Sequence, residues 1–481
     1  MAGEPAHEAR VQERQLPLTA APKPDWSAAA WLAVLPILLR PLSDPDLWWH
    51  LSAGRWMAEN LAVPRADWLS HTMAGRPWVD FEWLSQLSFY AAYRLAGLPG
   101  LLLLKAGLLA AAAAAVHALL KRAALGPLWS ALGMAAWCMA VAVRADLRTE
   151  LFSLLGFALL LGRLEEDRVS PLPCAAFFCL WANLHGGFVC GLALLGIHAA
   201  AGRGRRRNLL LCLGAGAAGA LLNPYGWKVY GVIFAHAWEG AALRALIQEW
   251  KALPWWEPGY WPTTVLLLGS PLLFFSARTA TAKRPTPAAA LAAAAFAAGT
   301  LSHSRMAAYF AAAAIPLCLH SAAAAGFLER AERGLPLRSL RALGPWASAA
   351  LCALLIFPPL WWGHRRDALR PVWTGPFPVR AASFLAGRPE LSQRSLYNPW
   401  EWGGYLGFRL GPELRVFQDG RHLFFPLLKE ASGCSADGWE ALFDRHGVDL
   451  ALLKRPPRQK LDPRRWEQVY SDDQAELWSR R

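Results

Sequence analysis

Eleven apolar segments, most of them rich in alanine and leucine, recur along this chain of 481 residues. Hydrophobic residues make up 55% of the chain, and its mean hydropathy is +0.22. Several segments approach the roughly 20 residues that cross a bilayer as a helix. The sequence therefore predicts an α-helical polytopic membrane protein with about eleven transmembrane helices, over residues 26–42, 98–120, 127–143, 150–162, 171–184, 187–201, 208–222, 262–277, 286–301, 305–325 and 343–362.

Basic residues concentrate in alternate connections, at 121–122, 163–168, 203–207, 278–284 and 330–341. Cytoplasmic connections of membrane proteins carry an excess of lysine and arginine. The pattern predicts a cytoplasmic N-terminus and a C-terminus on the outer side, and it explains the net charge of +14 without nucleic-acid binding. The segments at 171–184 and 187–201 are short, so they either tilt or form a re-entrant pair around His185.

Two regions flank these segments, one at each end of the chain. Residues 1–25 are rich in proline, alanine and charge, which is typical of a disordered cytoplasmic tail preceding a transmembrane domain at 26–362. Residues 363–481 are more polar and predict an extracytoplasmic α/β domain. We predict helices there at 378–386 and 439–445 and strands at 395–398, 405–409, 415–418, 448–453, 467–470 and 476–478.

The first outer loop, residues 43–97, is too long for a plain connector. Residues 47–59 interleave tryptophan and leucine with polar residues, and residues 81–94 do so again. This pattern predicts two amphipathic helices that lie in the membrane interface. Proline, glycine and aspartate between them predict turns.

Asp44 and Asp46 stand at the outer end of the first apolar segment. Carboxylates in this place are costly unless they have partners or a chemical role. They are candidates for binding a divalent metal such as Mg or Mn, or for a general base. The alternative is that one of them only caps the following helix. His50 lies one turn beyond Asp46, either as a further metal ligand or as an ordinary interfacial histidine.

The connection between the third and fourth segments contains Arg144, Asp146, Arg148 and Glu150. On the predicted topology it faces the same outer side as the acidic pair. It supplies either a carboxylate to a metal and arginines to a donor phosphate, or only a loop of mutually neutralising ion pairs.

Further outer candidates are His185, Glu249, His303 and Arg305. His185 either takes part in chemistry or is a hydrogen-bonded histidine in a tight turn. Glu249 is a candidate for acceptor binding or metal orientation. Arg305 either binds phosphate or extends to the interface.

Two stretches of the C-terminal region supply candidates for acceptor binding, namely Trp400, Glu401, Trp402, Tyr405, Asp419 and Arg421. An aromatic platform beside an acid and an arginine suits this role. As a plain hairpin, the same residues would form core and turn.

The first outer loop resembles that of the polytopic glycosyltransferases of the C-type fold (GT-C). The resemblance is carried by the run Asp44-Pro-Asp46-Leu-Trp-Trp-His50 and by Pro64, Asp67, Gly75 and Trp78. This pattern is similar to that of the first outer loop in oligosaccharyltransferase catalytic subunits and in uncharacterised bacterial membrane proteins related to them. The stretch Trp400-Glu-Trp402-Gly-Gly404-Tyr405 resembles the signature that oligosaccharyltransferases use at the acceptor peptide.

This resemblance implies a catalytic acid or metal ligand at Asp44 or Asp46. It places a second acidic position at Asp146, where this sequence has no second D-x-D, and a later loop glutamate at Glu249. It also implies a bacterial inner-membrane enzyme that transfers a sugar from a polyprenyl-phosphate or -diphosphate donor to a saccharide, lipid or protein acceptor. The alternative is a non-catalytic transporter or assembly factor for lipid-linked saccharides.

Overall fold

The structure is a computed structural model that describes residues 27–32, 34–122, 125–202, 204–238, 250–276, 286–334 and 377–481. The predicted tail at 1–25 and the last apolar segment at 343–362 lie outside these residues. Helices dominate the described chain before residue 335. In order they are α1 (Ser27–Leu32), α2 (Leu35–Leu38), α3 (Asp46–Asn60), α4 (Trp83–Arg122), α5 (Pro127–Val141), α6 (Glu150–Glu165), α7 (Pro171–Leu184), α8 (Phe188–Ala201), α9 (Arg206–Gly219), α10 (Lys228–Trp238), α11 (Trp261–Ser276), α12 (Pro287–Ser302), α13 (Ala307–Ala324) and α14 (Phe327–Gly334).

Every apolar segment predicted between residues 98 and 325 corresponds to a helix, and α10 was not predicted. The first segment differs, because α1 and α2 replace one continuous helix. Pro36 explains the break, since it has no backbone N–H to donate the hydrogen bond that a continuous helix would make four residues back, at Leu32.

By length and composition, two stretches of the described residues can cross a membrane, Trp83–Arg122 and Ser304–Ala324. Four further apolar helices are shorter, at Leu128–Arg144, Pro171–Leu184, Phe188–Ala201 and Pro287–Ser302. The mainly helical class is confirmed, whereas the count of about eleven transmembrane helices is not.

A joint at Ala96 and Gly97 divides α4 into two parts. Gly97 has φ 60° and ψ −144°, a conformation that a side chain would strain. The part before the joint corresponds to the second helix predicted in the outer loop, and the part after it to the apolar segment predicted from residue 98. The two helical parts of α4 therefore meet at a joint of two residues, Ala96 and Gly97.

The C-terminal region folds around a four-stranded mixed sheet. Its strands are β1 (Leu396–Tyr397), β2 (Leu450–Lys454), β3 (Trp466–Ser471) and β4 (Ala475–Arg480), in the order β1-β2-β4-β3. Only β1 and β2 are parallel, and Ala451 of β2 pairs with Trp478 of β4. The helices are α15 (Val379–Ala386), α16 (Pro389–Ser392), α17 (Trp400–Leu410), α18 (Phe425–Ser432) and α19 (Trp439–Arg445).

Two strands predicted here are wrong. Residues 405–409 belong to helix α17, whose buried Trp402, Tyr405 and Leu406 recur at helical spacing. Residues 415–418 form no strand in the described chain, and Val416 makes an isolated bridge to Ser70 of the first outer loop. For residues 415–418 the prediction failed because Val416 pairs with Ser70, more than 300 positions away, which local patterning does not show.

Helix α3 lies between α4 and α17, so the first outer loop is enclosed by its own second helix and by the C-terminal region. Close approach depends on two glycines of α17. A side chain at Gly403 would meet the backbone oxygen of Gln418 at 1.8 Å, and one at Gly404 would meet the backbone nitrogen of Trp49 at 3.0 Å. Neither glycine has a positive φ, so close backbone contact is the reason for glycine here.

Candidate functional site

Asp44 lies buried directly before α3 and contacts the connection between α5 and α6. Its Oδ2 accepts a hydrogen bond from Nε of Arg148, and its Oδ1 accepts one from the Asp46 amide at 2.8 Å. Burial raises the pKa of Asp44, and the charge of Arg148 opposes this effect. The Asp44 carboxylate therefore has two roles. It accepts a hydrogen bond from the first residue of α3, close to the capping role that the sequence left open. It also forms an ion pair with Arg148, one of the three arginines predicted to bind the donor phosphate.

Asp146 fixes the same junction from the other side. Its Oδ2 accepts hydrogen bonds from the Ser43 backbone at 2.9 Å and the Ser43 hydroxyl at 2.5 Å, while its Oδ1 accepts one from Leu147 at 2.7 Å. These bonds join the end of the first apolar segment to the 144–150 connection. Asp146 thus positions the two chain segments that hold the Asp44–Arg148 pair.

Asp46 points away from this pair. Its Oδ1 accepts a hydrogen bond from the Trp49 indole at 3.1 Å. The same oxygen would lie 1.9 Å from a side chain at Gly420, so Asp46 faces the C-terminal region. The two predicted catalytic carboxylates therefore have different surroundings.

Glu82, which the sequence analysis did not select, occupies the centre of the polar cluster. Its Oε1 accepts a hydrogen bond from the Thr149 hydroxyl at 2.8 Å and lies 3.5 Å from Nε2 of His185. Its Oε2 is 4.0 Å from Nε2 of His50. Burial raises the pKa of Glu82 to about 7, against the lowering effects of the Thr149 hydrogen bond and of Arg305. This carboxyl therefore titrates near neutrality.

The proton position on His185 follows from its other contacts. The Gly187 amide donates to Nδ1 at 3.0 Å, and Nδ1 is also 2.7 Å from the Ser153 hydroxyl. Because the Trp181 indole donates to that hydroxyl oxygen at 2.7 Å, the hydroxyl proton is available for Nδ1. In neutral His185 the proton is consequently on Nε2, which faces Glu82.

His50 lies on α3 at the edge of the cluster. Its ring packs on that of Trp49, with centroids 3.7 Å apart. Burial lowers the pKa of His50 well below its ordinary value, and Arg148 acts in the same direction. A neutral imidazole is therefore expected beside Glu82.

The other two arginines predicted to bind the donor phosphate, Arg144 and Arg305, lie around Glu82. Arg144 forms an ion pair with Glu150. Arg305 lies at the start of α13, its guanidinium carbon 5.1 Å from the centre of the Trp250 ring, and its charge lowers the pKa of Glu82. His303 contacts Trp250 as well, with ring centroids 5.8 Å apart.

The four predicted metal-binding residues, Asp44, Asp46, Asp146 and His50, do not fit a metal as they are arranged. Asp44 and Asp146 use both carboxylate oxygens in other bonds, and Asp46 points elsewhere. Within the part of the chain that the structure describes, no three His, Cys, Asp or Glu side chains are grouped as a metal site requires.

Asp419 and Arg421 form a buried ion cluster rather than an exposed acceptor surface. Arg421 makes hydrogen bonds from Nε to both oxygens of Asp419, and its Nη2 lies 2.8 Å from Asp419 Oδ2 and 2.6 Å from Asp67 Oδ1. Its guanidinium also stacks on Trp78 at 4.7 Å. Burial raises the pKa of Asp419, and Arg421 opposes it. The cluster joins the C-terminal region to the first outer loop.

The aromatic residues predicted to bind the acceptor are mainly core residues. Trp402 and Tyr405 are buried in α17, and the Tyr405 ring stacks on Phe377 at 5.3 Å. Trp400 is half-buried, and Glu401 forms an exposed ion pair with Lys454 at 3.0 Å. The structure does not bring these four residues to the Glu82 cluster, so their acceptor role stays a prediction. Glu249 lies outside the described residues.

A sequence signal for Glu82 was present. Asp80-Phe81-Glu82 repeats the acid-x-acid spacing of Asp44-Pro45-Asp46, and each motif directly precedes or begins a helix. Asp80 is buried and accepts a hydrogen bond from Gln86 at 2.5 Å. The first motif stood out in the sequence because it adjoins an apolar segment, whereas the second lies beside the same 144–150 connection only in the folded structure.

No family model and no curated protein matches the sequence. Solved structures match it in fold. ArnT from Cupriavidus metallidurans bound to undecaprenyl phosphate matches with a TM-score of 0.53 and 15% identity, over 94% of this chain and 96% of that one. The Archaeoglobus fulgidus oligosaccharyltransferase AglB in complex with an inhibitory peptide and a dolichol-phosphate matches with a TM-score of 0.55 and 12% identity, over 89% of this chain and 69% of that one. An Archaeoglobus fulgidus oligosaccharyltransferase tethered with an acceptor peptide matches with a TM-score of 0.56 and 14% identity, over 89% of this chain and 69% of that one.

These likenesses concern the fold, because the identities are low. They confirm the resemblance that the first outer loop indicated, and they extend it over nine-tenths of the chain. The chain has the fold of the GT-C glycosyltransferases.

Proposed function

We propose that this protein is an integral membrane glycosyltransferase that transfers a sugar from a polyprenyl-phosphate or polyprenyl-diphosphate donor. The acceptor, a saccharide, lipid or protein group, is on the outer face of a bacterial inner membrane. The observation that carries the proposal is the cluster of buried carboxylates and arginines, in which Asp44 and Glu82 both contact the 144–150 connection. That two structural neighbours bear polyprenyl phosphates supports a lipid-linked donor.

The cluster suits such a transfer chemically. The acceptor oxygen forms a bond to the anomeric carbon of the sugar, and the bond from that carbon to the donor phosphate breaks with its electron pair going to the phosphate. A carboxylate takes the acceptor proton. Arg148 and Arg305 are the arginines we assign to the charge that develops on the phosphate, because fixed cations act strongly where water is excluded.

The test uses the purified full-length protein in lipid nanodiscs with labelled undecaprenyl-phosphate and undecaprenyl-diphosphate sugars. We expect transfer to an acceptor extract and binding of undecaprenyl phosphate itself. Asp44→Asn should lower transfer at least tenfold, because it removes the charge that holds Arg148. The matched control is Asp473→Asn, whose carboxylate is exposed and pairs with exposed Arg380.

Two results would count against the proposal. If Asp44→Asn and wild type transfer sugar equally fast, the cluster takes no part in the reaction. Movement of the labelled lipid across the membrane without any transfer would favour the transporter alternative. Labelling an engineered cysteine at exposed Arg458 from the outer side tests the predicted extracytoplasmic location of the C-terminal region.

A further inference from the structure

The carboxylates of the cluster differ in how much of each is available to a substrate. The Asp44 side chain is 4% exposed and both its oxygens accept hydrogen bonds within the protein. Asp146 is occupied by Ser43 and Leu147 in the same way. An acceptor hydroxyl must reach within about 3 Å of the oxygen that takes its proton. Both carboxylates are buried, and every one of their oxygens already has a protein donor.

Glu82 differs from both. Its side chain is 15% exposed, and Thr149 and His185 approach only one of its oxygens. Among the described residues, Oε2 accepts no hydrogen bond, and Nε2 of His50 lies 4.0 Å from it. One oxygen therefore holds the carboxyl group in place while the other is open to an incoming hydroxyl.

We propose that Glu82, rather than Asp44 or Asp46, is the catalytic base of the transfer and that His185 is its positioning residue. The inference rests on the proposed function. In the step, the acceptor O–H bond breaks as the oxygen bonds to the anomeric carbon, its proton passes to Oε2 of Glu82, and the phosphate leaves with the electron pair of the broken bond. Asp44 holds Arg148 towards that phosphate and carries no proton.

The groups that face Glu82 come from four elements. His50 lies on α3, while Arg148, Thr149 and Glu150 belong to the connection before α6 and its start. His185 precedes α8, and Arg305 precedes α13. The nearby cations favour the carboxylate form, whereas burial and Glu150 favour the protonated form. With a pKa of about 7, Glu82 suits proton transfer at physiological pH.

His185 is built to hold one orientation. Its Nδ1 receives hydrogen bonds from the Gly187 amide and Ser153, which directs the Nε2 proton to Glu82. A side chain at Gly187 would meet the Ser153 hydroxyl at 2.4 Å, so glycine at this turn preserves the arrangement. The chain from Trp181 through Ser153 and His185 therefore ends on the carboxylate.

The deciding experiment compares Glu82→Gln with Glu430→Gln, a carboxylate of the C-terminal region that pairs with Arg445. We measure transfer from labelled undecaprenyl-linked sugar, binding of undecaprenyl phosphate, and the pH dependence of kcat/KM. A general base contributes about 10²- to 10⁴-fold, so Glu82→Gln should lose about that much transfer while it retains lipid binding. Formate should restore part of the transfer to Glu82→Ala, since it supplies a small carboxylate.

Wild-type kcat/KM should rise tenfold per pH unit below about 7 and then level off, because the base acts deprotonated. His185→Ala should lower kcat more than it raises KM, and His185→Gln, which keeps a donor, should recover part of the loss.

The inference is overturned if Glu82→Gln transfers within threefold of wild type while Asp44→Asn does not. In that case the proposed function stands with a different base. If Glu82→Gln loses lipid binding, the variant no longer tests the base, and the pH dependence of wild-type kcat/KM is used in its place. A wild-type kcat/KM that is constant from pH 5.5 to 8.5 overturns the inference. Failure of wild type to transfer any sugar from either donor overturns the proposed function itself.

Discussion

The buried ion cluster of Asp67, Arg421 and Asp419 should contribute strongly to stability, and Arg421→Met tests this. All three side chains are at most 2% exposed, and Asp67 belongs to the first outer loop whereas the other two belong to the C-terminal region. Removing one partner of a buried ion pair costs about 3–5 kcal/mol, since it leaves a buried charge without its counterion. Here one cation serves two carboxylates, so the upper part of that range is expected.

The control is Arg380→Met. Arg380 pairs with Asp473 at a similar distance of 2.8 Å, but the two side chains are 72% and 70% exposed. Exposed pairs contribute about 0–1 kcal/mol, so the two variants differ mainly in burial. Thermal unfolding of the protein in detergent is followed with a dye that reacts with buried cysteines such as Cys138 and Cys318 as they become accessible.

Arg421→Met should lower Tm several times more than Arg380→Met does. The triple variant Asp67→Asn, Asp419→Asn, Arg421→Met should recover much of the loss, because no unpaired charge remains. Equal Tm shifts for the two single variants would refute the reasoning, and so would a triple variant less stable than Arg421→Met.

Three further predictions concern the site and its supports. Thr149→Ala removes a hydrogen bond that lowers the pKa of Glu82, so the acidic limb of the kcat/KM profile should shift to higher pH; an unshifted limb would contradict the assignment. Gly403→Ala should destabilise the protein by roughly 1–3 kcal/mol, since its side chain would meet the Gln418 backbone at 1.8 Å, whereas Gly204→Ala, with nothing within 4 Å, should leave Tm unchanged. Transfer should persist in EDTA because the buried carboxylates are already occupied by protein donors; loss of transfer that Mg or Mn restores would contradict this.

Elements that depend on a local sequence pattern, such as the helices of the first outer loop, were predicted correctly. Residues 47–59 were predicted to be a helix and lie within α3, and residues 81–94 lead into α4. The placement of α3 in the membrane interface stays a prediction, and most of its first half is buried between α4 and α17. Amphipathic periodicity indicates that one face is covered but does not say whether lipid or protein covers it.

The site was predicted only in part. Asp44 was selected from the acidic pair, and Asp146 and Arg148 were selected from the 144–150 connection. The structure brings them together through the Ser43–Asp146 hydrogen bond and the Asp44–Arg148 ion pair. Glu82 was missed because its value as a base depends on burial and on Thr149, which lies 67 positions away. Such a pKa shift is a property of the assembled surroundings, and no local pattern contains it.

The joint at Gly97 has a geometric consequence for the proposed base. About 14 residues of helix separate it from Glu82, which at 1.5 Å per residue makes an arm of about 20 Å. A change of about 10° in the direction of the helix at this joint would carry the Glu82 carboxylate through about 3 Å, which is the length of a hydrogen bond. The position of the proposed base therefore depends on the contacts at the end of this arm, where Thr149 and His185 face Glu82. Beside them the Trp83 indole donates to Asn183 at 2.7 Å and the Ser85 hydroxyl donates to the Leu184 carbonyl at 2.6 Å.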